Sequence, residues 1–71
     1  MPRTPNTAVR RRQIVDGLCR VMAREGYGHA TVQAIAAEAG LAPGLIHYHF
    51  ADKREILVEL VETLRRGRHA A

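Results

Sequence analysis

The stretch from residue 31 to residue 50 limits the fold of this chain more than any other, because it has the pattern of two short helices joined by a tight turn. Thr31 stands just ahead of a helical run, where its hydroxyl can accept a hydrogen bond from an unpaired N–H of the first turn. Gly40 follows that run, at the position where a left-handed residue commonly ends a helix. These signals predict a first helix at about 32–39.

A second helix is predicted to begin at Pro43, because the N–H that proline lacks would be unpaired in a first turn anyway. It extends to about Phe50. Leu45, Ile46 and Phe50 can supply its core contacts. The other side chains would face outward in whole or in part, namely Gly44, His47, Tyr48 and His49. A helix-turn-helix places its second helix in the major groove of DNA, and we therefore call this segment the reading helix.

Fixed charge is missing from this part of the sequence. From residue 39 to residue 51 there is no Asp, Glu, Lys or Arg, so the surface would meet a polyanion with no carboxylate to repel it and no cation to hold it. Hydroxyl, imidazole and backbone donors would have to bind the phosphate oxygens, and Gly44 would allow close backbone approach. The side-chain donors available are those of His47, Tyr48, His49 and, just beyond the uncharged segment, Lys53.

The run ATVQAIAAEAGLAPGLIHYHFADKREIL, from Ala30 to Leu57, resembles the N-terminal DNA-binding domain of TetR-family transcriptional regulators. The resemblance includes the preceding helix and the connection EGYGHAT, and it covers roughly residues 9–64. The combination of AGLAPGLIHYHF with DKREIL is far more specific than a generic helix-turn-helix. It implies an all-α fold, a homeodomain-like three-helix core followed by a fourth helix, with helices at about 7–25, 32–39, 43–50 and 53–66.

The resemblance also implies roles for individual residues. The turn and the reading helix contact the major groove in such domains, which would bring five residues near bases or the sugar backbone: Ala42, Pro43, Gly44, Leu45 and His47. Four residues would bind phosphates: Thr31, Tyr48, His49 and Lys53. Gln33 matches a position that reaches a base edge in some members, and its amide could pair with adenine.

The chain departs from the family pattern in composition and in length. Many members have Ser or Thr where this chain has Ala42, which weakens the N-cap of the reading helix by about 1 kcal/mol, and many have Tyr in place of His47. Members also continue into a helical ligand-binding and dimerisation domain, whereas this sequence stops at Ala71. We therefore expect this chain to lack that C-terminal domain and any small-molecule effector site.

Length and charge indicate one small basic domain. The 71 residues carry a net charge of +4. A chain of this size buries only about 60% of the surface that its unfolded form exposes. We expect residues 1–8 to form a flexible basic arm and residues 9–68 to form the domain. Four arginines near the N-terminus could either belong to a solvated tail or lie along DNA phosphates: Arg3, Arg10, Arg11 and Arg12.

Two amphipathic helices flank the reading unit. The apolar residues of the first fall on one arc at helical spacing: Ile14, Val15, Leu18, Val21 and Met22. The last helix should begin with a capping box formed by Asp52 and Glu55, and Gly67 should end it. On this last helix Leu60, Val61 and Leu64 would remain partly exposed unless covered, so a second copy or another chain could bind there.

Composition also excludes several classes of protein. Cys19 is the single cysteine, which rules out an intramolecular disulfide; we expect a reducing compartment and a buried thiol. No apolar run is long enough to span a bilayer, so we expect a cytoplasmic, nucleoid-associated protein without membrane contact. His47 and His49, two positions apart on a helix, point about 200° apart and cannot chelate one ion, so no metal or other cofactor is expected. No nucleophile elbow, phosphate loop or carboxylate pair indicates an enzyme.

Two hypotheses for function follow. The first is a sequence-specific DNA-binding domain of a repressor-type regulator, which places residues 43–49 in the major groove. The alternative is a truncated interaction module that pairs through its last helix with full-length relatives and modulates them. A third interpretation, a basic peptide that binds membranes, is disfavoured because the apolar positions suit a folded core.

Overall fold

The computed structural model of the protein describes the backbone of residues 6–70 and the side chains of residues 7–67. This part of the chain is helical and contains no strand, as predicted. Four α-helices and one short 3-10 helix follow in the order α1 (Asn6–Glu25), the 3-10 helix (Tyr27–His29), α2 (Val32–Ala39), α3 (Pro43–His49) and α4 (Lys53–Ala70). Helix α1 lies at the centre of the arrangement and contacts α2, α3 and α4.

Helix α1 forms because its apolar residues recur on one face, and that face supplies much of the core. Ile14, Val15, Leu18 and Val21 are buried. The helix ends at Glu25, and Gly26, which follows, has a φ of 84° that only glycine adopts readily. It begins at Asn6, one residue before the predicted start at about residue 7. Residues 6–8, which were also assigned to the flexible arm of residues 1–8, are therefore helical, and residues 1–5 lie outside the described residues.

Helix α2, the first helix of the helix-turn-helix, is held in place by a close approach to α1. A Cβ added at Gly17 of α1 would lie 3.0 Å from the carbonyl oxygen of Ile35 and 3.3 Å from the Cβ of Ala39, both in α2. Ile35 and Ala36 are buried in this contact. The two helices can pack this closely because only small groups separate them.

The turn between α2 and α3 has the predicted form. Gly40 has a φ of 74°, its N–H donates to the carbonyl of Ala37, and the N–H of Leu41 donates to that of Ala36, which satisfies two helix-end carbonyls. Leu41 is half-buried against the core. Helix α3 ends one residue earlier than predicted, because Phe50 is extended and turns its ring into the core.

Helix α4 begins as predicted and ends later. The Glu55 N–H donates to Asp52 Oδ1 at 3.0 Å, whereas the Glu55 carboxylate accepts from the N–H of Ala51, at 2.8 Å, instead of from Asp52. Gly67 does not end the helix, because its φ is not positive and the chain remains helical to Ala70. A glycine ends a helix only where the backbone turns left-handed.

Two predictions of exposure need correction. Leu60 is 8% exposed and belongs to the core, because it lies beside Ile56 on the face of α4 that packs on α1, whereas Val61 and Leu64 are exposed as predicted. Cys19 is exposed and not buried, because it lies at the edge of an open groove between α1 and α4.

None of the described helices is long and apolar enough to cross a membrane.

Candidate nucleic-acid interface

Helix α3 presents most of its surface to solvent. Ile46 on its inner side is fully buried, and Phe50 just after it is 2% exposed. The opposite side carries Tyr48, which is 79% exposed. Exposed residues continue along this side from the turn, in the order Ala42, Pro43, Gly44 and His47. Five of the ten predicted DNA-binding residues therefore form one outward-facing row, since α3 uses few positions for packing.

Polar groups on this face are free to bind a ligand. The rings of Tyr48 and His49 meet edge to face, with centroids 4.9 Å apart and an angle of 87°. Among the described residues, the Tyr48 hydroxyl has no hydrogen-bond partner, and His49 is half-buried. The face has no fixed charge, because residues 39–51 contain none. Its side-chain donors and acceptors are a phenol hydroxyl and imidazole rings.

The two predicted residues on α2 lie at its first turn. Thr31 is the N-cap, and its Oγ1 accepts from the Ala34 N–H at 3.0 Å. A hydroxyl that accepts one hydrogen bond keeps its own hydrogen to donate, so this cap remains a possible phosphate donor. Gln33 is exposed on the same turn, with no structural use among the described residues.

Lys53 has a structural contact as well as a predicted binding role. The Lys53 ammonium donates to the carbonyl oxygen of Tyr27 at 2.7 Å and lies 4.2 Å from the centroid of the Tyr27 ring. An ammonium has three N–H donors, so this contact positions Lys53 and leaves donors available. Leu45, on α3, is half-buried.

Sequence reasoning missed the residue that joins α1 to the end of α3. Arg11 was grouped with the N-terminal arginines that could be solvated or lie along phosphates, but its guanidinium donates to the carbonyl of His49 at 3.1 Å. The same group pairs with Glu59 of α4 at 3.2 Å and lies 4.3 Å from the centre of the Phe50 ring. The available signal was helical spacing, because Arg11 precedes the buried Ile14 by three positions and shares its face.

Within the residues that the structure describes, no three His, Cys, Asp or Glu side chains gather closely enough to hold a metal ion. An open groove of about 820 Å³ lies between α1 and α4, and the residues that line it do not include those of the α3 face.

Two short helices joined by a left-handed glycine turn, the second exposed on a three-helix core, define a helix-turn-helix of the DNA-binding class. A family profile described as "Bacterial regulatory proteins, tetR family" matches residues 14–60, more than half of the chain. The chain belongs to the TetR family and contains its helix-turn-helix DNA-binding domain. The family is one of transcriptional regulators and not of enzymes.

Several curated relatives are similar over almost all of this chain. The HTH-type transcriptional regulator BetI of Rhizobium meliloti (strain 1021) is 34% identical over 64 residues, which are 90% of this chain and 32% of that protein. BetI of Agrobacterium fabrum is 33% identical over 66 residues, 93% of this chain and 32% of that protein. This chain therefore spans about a third of the length of these relatives. No solved structure gives a significant match.

Proposed function

We propose that this domain binds duplex DNA sequence-specifically with α3 in the major groove, and that it acts in a transcriptional repressor. The observation that carries the proposal is the exposed row on α3, where Tyr48 is 79% exposed and lies outside the core. Tyrosines are enriched at interfaces, where the ring packs on a partner and the hydroxyl hydrogen-bonds to it. The net charge of +4 favours approach to a polyanion. The site of action proposed is the cytoplasm, at nucleoid DNA.

We assign the contacts by the position of each group on this face. Residues at the turn and along the row would lie near bases or sugars: Ala42, Pro43, Gly44, Leu45 and His47. Hydroxyl, imidazole and ammonium donors at the margins would bind phosphates: Thr31, Tyr48, His49 and Lys53. Gln33, exposed on the first turn of α2, would reach a base edge.

Selection of DNA fragments on the immobilised protein, followed by a salt titration of the selected duplex, tests the proposal. Each cation that contacts a phosphate contributes about 0.9 to the slope of log affinity against log salt, so Lys53 gives a slope of about −0.9, to which hydroxyl donors add little. Enrichment of one sequence with a slope of this size is expected. A flat slope, or enrichment of no sequence, would contradict DNA binding.

The Tyr48 hydroxyl offers a sharper test of one contact. Tyr48→Phe should weaken binding by about 1 kcal/mol on every duplex, because a phosphate contact does not depend on base identity. Tyr27→Phe is the matched control, since it removes the other tyrosine hydroxyl and keeps the ring beneath Lys53. A change in preference at one base pair in Tyr48→Phe would mean that the hydroxyl contacts a base instead.

We propose also that two copies bind adjacent half-sites, as helix-turn-helix domains commonly do. Val61 and Leu64 on α4 are 46% and 60% exposed and would contribute to pairing, whereas Leu60 is buried and supports them from the core. Replacing Val61 and Leu64 by Ser should abolish self-association in sedimentation experiments and leave binding to a single half-site unchanged. The alternative function, modulation of full-length relatives, gains no support from the comparisons.

A further inference from the structure

The C-terminal end of α3 depends on a group from another helix. This helix has seven residues, and the Phe50 N–H, which donates to Ile46 at 2.8 Å, closes its last turn. The carbonyl of His49, the last residue of α3, accepts from the Arg11 guanidinium, 38 residues earlier in the chain. A helix this short has little stability of its own, so its direction is set by tertiary contacts at its ends.

The Arg11 guanidinium is held on three sides. Its Nη1 donates to His49, its Nη2 pairs with Glu59, and its plane lies over the ring of Phe50. The Arg11 and Glu59 side chains are 34% and 31% exposed, so the pair is partly shielded from solvent. A planar group with a rigid fork of donors can satisfy two acceptors at once, which a lysine ammonium cannot do in the same geometry.

We propose that Arg11 is a positioning residue for DNA recognition: it fixes the end of α3, and through it the direction of the Tyr48 and His49 side chains, without contacting DNA. The inference rests on the proposed function. It differs from the interpretation in which Arg11 lies along phosphates with the other N-terminal arginines, because Glu59 already balances its charge and its donors face the protein. A cation at a helix C-terminus is also favoured by the helix dipole.

The test compares Arg11→Met, Arg11→Lys and Glu59→Gln with the control Arg20→Met, which removes the same charge from the exposed opposite side of α1. Both Arg11 variants should weaken binding to the selected duplex about tenfold, the effect of losing one charge-assisted hydrogen bond, while the salt slope stays at the wild-type value. Arg20→Met should change affinity by less than about twofold. If Arg11 contacts phosphate, Arg11→Met should instead reduce the slope by about 0.9 and Arg11→Lys should restore it.

Amide hydrogen exchange of the free protein tests the same inference without DNA. The Phe50 amide and the backbone signals of Tyr48 and His49 should respond to Arg11→Lys and Glu59→Gln, while the amides of α2 keep their protection. Unchanged exchange at Phe50 would overturn the positioning role even if the wild type binds DNA. If the wild type fails to bind DNA while exchange at Phe50 rises in the variants, the proposed function fails and the structural link from Arg11 to α3 stands. If Arg11→Met does not fold, Arg11→Lys and Glu59→Gln carry the test.

Discussion

The two helices of the helix-turn-helix have similar lengths but are stabilised in opposite ways. Helix α2, with eight residues, has a hydrogen-bonded N-cap at Thr31 and a left-handed glycine at its other end. Helix α3, with seven residues, has Ala42 as its N-cap, and the alanine side chain makes no cap hydrogen bond. The C-terminal end of α3 is bonded instead by Arg11 of α1. Residues next to α2 therefore hydrogen-bond to its terminal backbone groups, whereas the C-terminal end of α3 depends on Arg11, which is distant in sequence.

Helix α2 therefore contributes mainly to the core, whereas α3 keeps most of its side chains available for binding. Helix α2 packs on α1 through Ile35 and Ala36, and a contact at Gly17 leaves no room between them. Helix α3 buries Ile46 and leaves His47 and Tyr48 to solvent. Residues that do not contribute to folding can vary with the DNA sequence to be recognised, since surface substitutions rarely change stability by more than about 0.5 kcal/mol.

The largest expected effect is that of Ile46→Ala, which removes the side chain with which α3 contacts the core. It should lower the free energy of unfolding by about 2–5 kcal/mol, enough to unfold much of a marginally stable domain. Tyr48→Ala, on the opposite side of α3, should lower it by less than about 0.5 kcal/mol. Urea denaturation followed by circular dichroism measures both, and equal losses would mean that the Tyr48 ring packs on the protein.

Two glycines give the next comparison, one at the contact between α1 and α2 and the other on the exposed side of α3. Gly17→Ala should destabilise the domain by about 1–3 kcal/mol, because the new Cβ meets the backbone of Ile35 at 3.0 Å. Gly44→Ala should stabilise it by about 0.5 kcal/mol, since no atom lies within 4 Å and alanine favours a helix. The same Gly44→Ala should weaken binding to the selected duplex several-fold. Thermal denaturation and DNA titration distinguish the two effects, and a Gly44→Ala protein that binds normally would contradict close backbone approach.

The helix caps give the smallest effects, of opposite sign. Thr31→Ala should cost about 1 kcal/mol, because the Ala34 N–H loses its acceptor. Ala42→Ser should gain about 0.5–1 kcal/mol, because the extended backbone at this N-cap suits a serine. Ala37→Ser, at an exposed position within α2, is the control and should cost a few tenths of a kcal/mol. If Ala42→Ser behaves like Ala37→Ser in denaturant titrations, α3 does not need a cap.

Local signals predicted most element boundaries in this chain. Thr31, Gly40 and Pro43 marked the ends of α2 and the start of α3 correctly. The exception was Gly67, where the expected helix end did not occur. The roles of the individual DNA-binding residues remain predictions, although the structure places His47 and Tyr48 on the exposed row as the sequence pattern required.

The sequence by itself determined where helices begin and end, which faces are apolar and which family the chain belongs to, because these depend on residues within a turn or two of one another. Only the tertiary structure decided that Arg11 reaches His49 and Glu59, 38 and 48 positions away, and that Lys53 contacts Tyr27. It also decided that Leu60 is buried and Cys19 exposed. These outcomes depend on how closely α1 and α4 approach one another, and helical periodicity gives the direction of a side chain but not the distance to its neighbour.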